Sequence, residues 1–406
     1  MKKIIYTIFL FPFLLFAQNI DVADGATLLI DTGGTMTISG SLTSNTSGSI
    51  IIATSKTASG SLLAVDAGNS QGKGITLRRA LDGSNEWTLV GVPVTGESSS
   101  DVDDNLRTSG SKSAIGHFDP SSNGGEFVYF NTNSNTTLVN GRGYLISPSA
   151  SGNVDFTGTM SHATVTYALA DESGTYGNWN LIGNPYPSYL HMTDDGGDIT
   201  NNFLSVNTNA LHADYQLIYA WDGSEYDAYN QTTETINHIA PGEGFFVYSV
   251  AGGADVSFTE AMQTSGKGDN FNESSIARGT SSQAQKRVSR LELELSDNAN
   301  NQTDVTKFYF SDETEVSKGL DPGYDAGQFF LGSDSRIFTR LVNDDKGTNF
   351  HIQALPYNNL KDVVVPLGIT TKSSSLELSV KDNSIDDLYR IYLEDKLENT
   401  IVELDQ

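Results

Sequence analysis

Two short acidic segments are the parts of this sequence whose residue types could bind an ion. Each contains three aspartates close together: Asp101, Asp103 and Asp104, and Asp194, Asp195 and Asp198. Carboxylate oxygens on flexible loops are the ligands that Ca²⁺ prefers. Neither segment has the spacing of an EF-hand loop, so a solvated acidic turn is the simpler interpretation of each. Calcium is the only candidate ion.

Aromatic residues in a predicted hairpin offer a second kind of chemistry. Trp221 and Tyr226 lie in YAWDGSEYDAYN, which has the pattern of two strands around a glycine-containing turn. A Trp or Tyr ring presents an apolar face and a polar edge, which suit stacking on a sugar. These two residues are therefore candidate ligand-binding residues. Trp87 and Trp179 instead open apolar W-x-L-[IV]-G phrases, which are typical of core strands.

Several matches to catalytic motifs fall in the wrong context. Gly68–Gly72 fits G-x-S-x-G but lies in a Gly/Ser-rich turn, whereas a nucleophile elbow needs a strand before the Ser and a helix after it. Ser109–Lys112 fits S-x-x-K and Ser296–Asn298 fits S-D-N, signatures of a helical fold. The six histidines have no zinc-site spacing: His117, His162, His191, His212, His238 and His351. We predict no catalytic residue, no enzymatic activity and no cofactor other than the candidate calcium.

Composition indicates an all-β protein. The 406 residues include no cysteine, 39 glycines and 36 Phe and Tyr, with few helix-favouring runs. The net charge of −26 argues against nucleic acid and anionic membranes as partners, because both are bound by clustered Lys and Arg. A chain of this length also predicts more than one domain.

The first residues predict a secretory leader. Lys2 and Lys3 precede the apolar run Ile4–Phe16, and Ala17 is followed by polar residues. Such a run is too short to span a bilayer as a helix, so we predict a signal peptide at 1–17 and no membrane insertion. Residues 18–72 then form short β phrases opened by glycine, which predict a small β-solenoid or a meander.

The centre of the chain is one β-rich module used twice. WTLVGVPV (Trp87–Val94) and GRGYLIS (Gly141–Ser147) return as WNLIGNPYPS (Trp179–Ser188) and GEGFFVYS (Gly242–Ser249). Five phrases recur in the same order, which predicts copy one at 73–160 and copy two at 161–262. We expect the glycines of both G-x-G phrases to form a tight turn before a strand.

The last part of the chain changes character. Residues 263–289 have the polar composition of a linker. Eight strand-like runs follow within 290–406 and predict a β-sandwich. The sequence ends at IVELDQ, within the same pattern of strand-like runs, so we expect the sandwich to be truncated.

The chain resembles the secreted multidomain β proteins that are exported by type IX secretion and carry a type A sorting domain. The phrases that carry the resemblance are WNLIGNPYPS, IAPGEGFFV, LDPGYDAG, IQALPYNN and VVVPLGI. The resemblance implies a secreted or cell-surface protein that engages the secretion machinery, and it supplies no catalytic residue. A sorting domain would follow the sandwich in such proteins, and this sequence ends before one.

These observations favour a non-enzymatic surface protein of the adhesin-like or structural kind, with extracellular polysaccharide or matrix components as its candidate partners. A carbohydrate-binding accessory region of a larger secreted enzyme is the alternative. An unrecognised carboxylate pair in a hydrolase is a third possibility, although no spacing among the 50 Asp and Glu selects one.

Overall fold

In the computed structural model the protein is all-β, with 50% of its residues in strands and 6% in helices. One of its sheets is a curled half-barrel. This confirms the predicted fold class, which follows from the β-branched and aromatic runs between glycine-rich turns. The structure describes residues 15–17, 19–44, 50–55, 57–64, 71–81, 83, 86–121, 126–172, 174, 176–193, 200–221, 223, 226–231, 237–265, 271, 288–312, 316–329, 331, 334–359, 363–386 and 388–404.

The chain divides into two compact units, here called the N-terminal and the C-terminal unit. The N-terminal unit comprises Met1–Leu211, Ile218–Asp227 and Thr233–Gly279, and the C-terminal unit comprises His212–Leu217, Ala228–Thr232 and Thr280–Gln406. Two short pieces of the second copy thus belong to the C-terminal unit. The repeat pattern does not predict this grouping.

The N-terminal unit begins with short strands stacked in parallel. They are β1 (Leu15–Ala17), β2 (Ile20–Val22), β3 (Leu28–Ile30), β4 (Thr35–Ile38), β5 (Leu42–Ser44), β6 (Ile50–Thr54), β7 (Ser61–Ala64) and β8 (Gln71–Leu81). β1, β4 and β7 form one parallel row, β2, β5 and the start of β8 a second, and β3, β6 and the rest of β8 a third. Three strands per turn on three faces is a solenoid arrangement, and parallel pairing distinguishes it from a meander. Inward-facing Leu42, Ile50 and Leu62 are fully buried.

Copy one follows with short strands around an antiparallel sheet. Its elements are β9 (Thr88–Gly91), α1 (Ser99–Val102), a 3₁₀ turn at Asp103–Asn105, β10 (Thr108–Ser109), β11 (Lys112–Asp119), β12 (Glu126–Asn131), β13 (Gly143–Ile146) and β14 (Gly152–Thr159). The strand order is β10-β11-β13-β9, with β12 also paired to β11. β14 pairs antiparallel with β8 and so joins this copy to the solenoid-like stack.

Copy two has a similar set of strands. Its elements are β15 (Val165–Ala168), β16 (Trp179–Gly183), β17 (Tyr189–His191), α2 (Phe203–Val206), a 3₁₀ turn at Ala213–Tyr215, β18 (Ile218–Trp221), β19 (Tyr226–Tyr229), β20 (His238–Ile239), β21 (Gly244–Tyr248), β22 (Asp255–Phe258) and a 3₁₀ turn at Glu260–Met262. The segment predicted as a linker begins with a further strand, β23 (Gln263–Thr264). The main sheet has the order β16-β21-β18-β19. β15 pairs with β22, and β17 lies between β20 and β23.

The two copies pair their repeated phrases in the same register. The glycine that ends W-x-L-[IV]-G faces the second glycine of G-x-G in both copies, as Gly91 opposite Gly143 and Gly183 opposite Gly244. The first phrase of each copy pairs with its last phrase, β8 with β14 and β15 with β22. In each copy, a strand from the start and a strand from the end therefore pair with each other. The order of the phrases along the sequence does not predict this pairing.

The C-terminal strands form one large sheet and one small one. They are β24 (Val288–Asp297), β25 (Gln302–Ser311), β26 (Ala326–Gly327), β27 (Arg336–Thr339), β28 (Phe350–Pro356), a 3₁₀ turn at Tyr357–Asn359, β29 (Leu367–Thr370), β30 (Glu377–Asn383), β31 (Tyr392–Asp395) and β32 (Thr400–Glu403). Among the described residues, seven strands share a mixed sheet in which β25 and β28 are parallel, and β31 and β32 form a separate pair. The runs predicted as a sandwich are thus divided between a large sheet and a hairpin.

Alternation places the leucines of β24 in a core with alternate aromatic residues of β25. Leu291, Leu293 and Leu295 of β24 are buried together with Phe308 and Phe310 of β25. The intervening Glu292 and Glu294 of R-L-E-L-E-L-S lie near Lys381 of the neighbouring β30, at 3.3 and 3.6 Å. None of the described helices is long and apolar enough to cross a membrane.

Candidate ligand-binding sites

The two copies contact each other through their repeated phrases. The central residue of each G-x-G bridges to the W-x-L-[IV]-G strand of the other copy, Glu243 to Val90 and Arg142 to Ile182. In matching fashion, the Gly91 N–H donates to the Gly242 carbonyl at 2.9 Å, and the Gly183 N–H donates to the Gly141 carbonyl at 3.1 Å. The contact is therefore approximately two-fold symmetric.

Glycine is required at this contact because the two backbones nearly touch. A Cβ on Gly143 would lie 2.5 Å from the Ile182 carbonyl oxygen, and one on Gly244 would lie 2.7 Å from the Val90 nitrogen. The first glycine of each phrase has a positive φ, 86° at Gly141 and 68° at Gly242, as expected for the predicted turn. The second glycine has a different role, namely close packing between the copies.

A buried ion pair lies beside this contact. The Arg79 guanidinium donates to the Glu243 carboxylate at 2.8 Å, and both side chains are only 2% exposed. Arg79 belongs to β8 and Glu243 to the turn before β21, so the pair connects the two copies. A buried charge is tolerated when a partner and hydrogen bonds compensate its desolvation.

A polar cavity of about 300 Å³ lies in copy one, next to α1. Its lining contains Arg78, Asp101, Val102, Asp104, Asn105, Asn153, Val154 and Asp155. Two of the three aspartates predicted as an ion site, Asp101 and Asp104, are among these residues. Asp103 is not, and its carboxylate accepts a hydrogen bond from the Asn133 backbone N–H at 3.1 Å.

Three charged side chains of the cavity, Arg78, Asp101 and Asp155, have partners within the protein. Arg78 binds Asp155 in a bidentate ion pair, with distances of 2.9 and 2.7 Å. The hydrogen bond to Asp155 raises the pKa of Arg78, which keeps the guanidinium charged. Asp101 accepts from the Ser98 hydroxyl at 2.6 Å at the start of α1. The cavity is large enough for a small polar ligand, but Arg78, Asp101 and Asp155 already have partners within the protein.

Glu97 is a buried acid close to the cavity. Its side chain is 2% exposed and accepts hydrogen bonds from the backbone N–H groups of Thr157 and Ser98. Burial raises the pKa of Glu97 to about 7, although the two N–H donors favour the ionised form. Glu97 joins the loop before α1 to β14, so its role is structural.

The calcium prediction remains a prediction. Within the described ranges, no group of three or more His, Asp or Glu side chains is placed to hold a metal ion. Asp194, Asp195 and Asp198 lie outside the described residues.

The aromatic candidates lie together at the β18–β19 hairpin. The rings of Trp221 and Tyr226 are 5.0 Å apart and inclined at 58°, and both side chains are half-buried. Tyr226 also contacts the buried Phe246 of β21, at 6.0 Å and 72°. Burial raises the pKa of Tyr226, so its phenol remains protonated at physiological pH.

Copy one contributes aromatic residues that sequence reasoning missed. Trp87 contacts Tyr129 at 5.8 Å, and both side chains are half-buried. Phe127, also half-buried, lies 6.4 Å from Phe246. The signal was present in β12, because Phe127 and Tyr129 alternate with the exposed Glu126 and Val128 and therefore share one face.

The catalytic-looking motifs have structural roles where they are described. Ser109 faces Lys112 across a turn between β10 and β11. Asp297, at the end of β24, accepts from the hydroxyls of Ser335 and Ser373 at 2.8 and 3.1 Å. Ser70 lies outside the described residues.

One pair of histidines is brought together by the fold. His191 of β17 faces His238 of β20, with ring centres 4.9 Å apart. Their separation along the chain gives no metal-site spacing, so the pair could not be predicted.

Comparison with known proteins identifies one family. No curated protein and no solved structure matches the chain. The family described as a domain of unknown function (DUF8693) matches residues 12–406, almost the whole sequence, and the chain belongs to this family.

Proposed function

We propose that this protein is a non-enzymatic secreted or cell-surface protein, adhesin-like or structural, that is exported by type IX secretion. The leader pattern at 1–17 and the phrases shared with type IX-exported proteins support the export route. The all-β modular fold and the acidic composition support an extracellular role, since acidic surfaces keep exported chains soluble and apart.

The observation that carries this proposal is that buried polar side chains bind other parts of the same protein. Arg79 and Glu243 neutralise each other between the copies. The Asn184 amide donates to the backbone carbonyls of Ser188 at 2.9 Å and Ala240 at 3.0 Å, while its oxygen accepts from the Tyr186 N–H at 3.0 Å. Such groups hold modules together, whereas catalysis needs polar groups aimed into a cleft.

Adhesion tests the proposal directly. The full chain, fluorescently labelled, is incubated with bacterial cells, extracellular matrix and immobilised polysaccharides, in calcium or in chelator. We expect saturable retention on at least one of these surfaces. Retention on none of them, in either condition, would contradict the adhesive function.

An activity screen tests the non-enzymatic part. The full chain is assayed against a broad panel of glycosides and esters, with a known hydrolase as positive control. We expect rates equal to buffer. Turnover of any substrate that persists after repurification would overturn this part.

A carbohydrate-binding accessory region is the second candidate function, and the half-buried Trp221–Tyr226 pair favours it. Affinity electrophoresis in polysaccharide gels measures such binding. Trp221→Ala should reduce the retardation, because stacking on a sugar ring needs the indole face. Unchanged retardation would remove Trp221 from the site.

A further inference from the structure

We propose that half-buried aromatic rings of both copies form one continuous strip that binds a neutral polysaccharide chain by stacking on its sugar rings. The strip consists of Trp87, Phe127, Tyr129, Tyr226 and Trp221. The inference rests on the proposed function and names the class of ligand that the surface protein would hold.

Ring contacts connect members of the strip within the N-terminal unit. Trp87 meets Tyr129 at one end, and Trp221 meets Tyr226 at the other. Between the ends, Phe127 and Tyr226 flank the same buried ring, Phe246, at 6.4 and 6.0 Å.

The layer beneath holds these rings in place. Phe118 packs edge-on against both Phe246 and Phe127, at 5.1 and 5.7 Å. Tyr129 lies over Gly116, where a Cβ would be 3.0 Å from its ring. Rings that are already fixed lose little conformational entropy when a ligand binds, which favours affinity.

A difference between the copies points to binding rather than to packing. Trp179 occupies the position equivalent to Trp87 and is 3% exposed, with edge contacts to Tyr219 and Tyr248 at 4.9 Å. Among the residues that the structure describes, Trp87 has one aromatic neighbour, Tyr129, in a tilted contact at 5.8 Å, and Trp87 remains half-buried. Core packing alone would favour the same enclosure in both copies, because exposing an indole forgoes hydrophobic stabilisation.

The chemistry of the strip selects neutral sugars. The accessible faces of the Trp and Tyr rings are apolar and match the C–H faces of a sugar ring. A chain with 50 acidic and 24 basic residues repels polyanions such as acidic glycans and nucleic acids. Burial raises the pKa of Tyr129, so its phenol is a neutral hydrogen-bond donor at physiological pH.

Affinity electrophoresis of the full chain tests the strip. Gels contain a β-glucan, a xylan or a mannan, and the proteins are wild type, Trp87→Ala, Trp221→Ala and the double variant. Val128→Ala is the matched control, since Val128 is 39% exposed on the other face of β12. We expect each single change to weaken binding about tenfold on the polysaccharide that is bound, and the double change to abolish retardation.

Folding of the variants is checked independently. In the double variant Trp179 is the one remaining tryptophan, and its emission should stay that of a buried indole. Trp87→Phe should retain most of the binding because an aromatic face remains. If Trp221→Ala weakens binding and Trp87→Ala does not, the proposal of one continuous strip is wrong, but a binding site at Trp221 is supported. If the chain adheres to cells or matrix but both variants adhere as wild type does, the inference fails and the surface function survives. Binding of a proline-rich peptide but of none of the polysaccharides would also overturn it.

Discussion

Arg79 and Glu243 carry opposite charges in the interior of the N-terminal unit, where water screens neither of them. Removal of one partner leaves the other charge buried and uncompensated. Glu243→Ala or Arg79→Ala should therefore lower the free energy of unfolding by about 3–5 kcal/mol. The double variant Arg79→Met/Glu243→Leu should be closer to wild type, because no charge remains buried.

Urea unfolding followed by tryptophan fluorescence measures these changes. Arg78→Ala is the control, since the Arg78–Asp155 pair is 38% exposed on both sides and should contribute at most about 1 kcal/mol. A single substitution of Glu243 that costs no more than this control would contradict the argument.

Asp325 makes stability depend on pH. Its side chain is fully buried and accepts from the backbone N–H groups of Asp321 and Ala354, at 2.7 and 2.8 Å. Burial raises its pKa to about 8, helped by the nearby Asp321 and Asp214. The folded protein thus binds a proton that the unfolded chain has released, so stability falls as pH rises from about 4 to about 8.

Urea unfolding at several pH values measures this slope, which for one proton is at most about 1.4 kcal/mol per pH unit. Asp325→Asn should flatten the profile between pH 5 and 8 relative to Asp345→Asn, an exposed control. Identical slopes in the two variants would show that Asp325 does not hold the proton.

At the scale of elements, the contact between β9, β13, β16 and β21 requires glycine. Gly143→Ala and Gly244→Ala each place a methyl group against backbone atoms, at 2.5 and 2.7 Å, that cannot rotate away. We expect a loss of about 1–3 kcal/mol or more in unfolding free energy, as for other overpacked sites.

Gly152→Ala is the matched control for these variants. Gly152 lies in β14, and a methyl group added to it would meet nothing within 4 Å, so its replacement should be nearly neutral. Equal midpoints of urea unfolding for Gly143→Ala and Gly152→Ala would contradict the requirement for glycine at this contact.

The same elements mark how far the sequence predicts the fold. Alternation and glycine-rich turns predict the all-β class, and the repeated Trp and Gly phrases predict equivalent strands. Glu243 and Arg79 are 164 positions apart, and nothing local in either phrase shows that they pair. The residues next to Trp87 in the sequence are typical of a core strand. Its greater exposure than that of Trp179 becomes evident only in the folded structure.

At the scale of the whole molecule, the net charge of −26 should make stability depend on salt. Carboxylates repel each other in the folded protein more than in the expanded chain, and salt screens this repulsion. The melting temperature should therefore rise as NaCl increases from about 10 to about 200 mM.

Specific calcium binding can be distinguished from this charge screening by comparing two salts at equal ionic strength. A site formed by any of the predicted aspartates should give CaCl₂ a larger increase in melting temperature than MgCl₂, with saturation at higher concentrations. Equal increases in the two salts would leave charge screening as the whole effect and would contradict a calcium site.

The glycine contact also bears on how this chain arose. Each copy presents the same strand and the same turn to the other, which is the geometry of an isologous interface. A single ancestral module would have met an identical partner through these surfaces, so gene duplication and fusion would have turned a homodimer into one polypeptide. Once tethered, one half could keep its tryptophan enclosed while the other diverged.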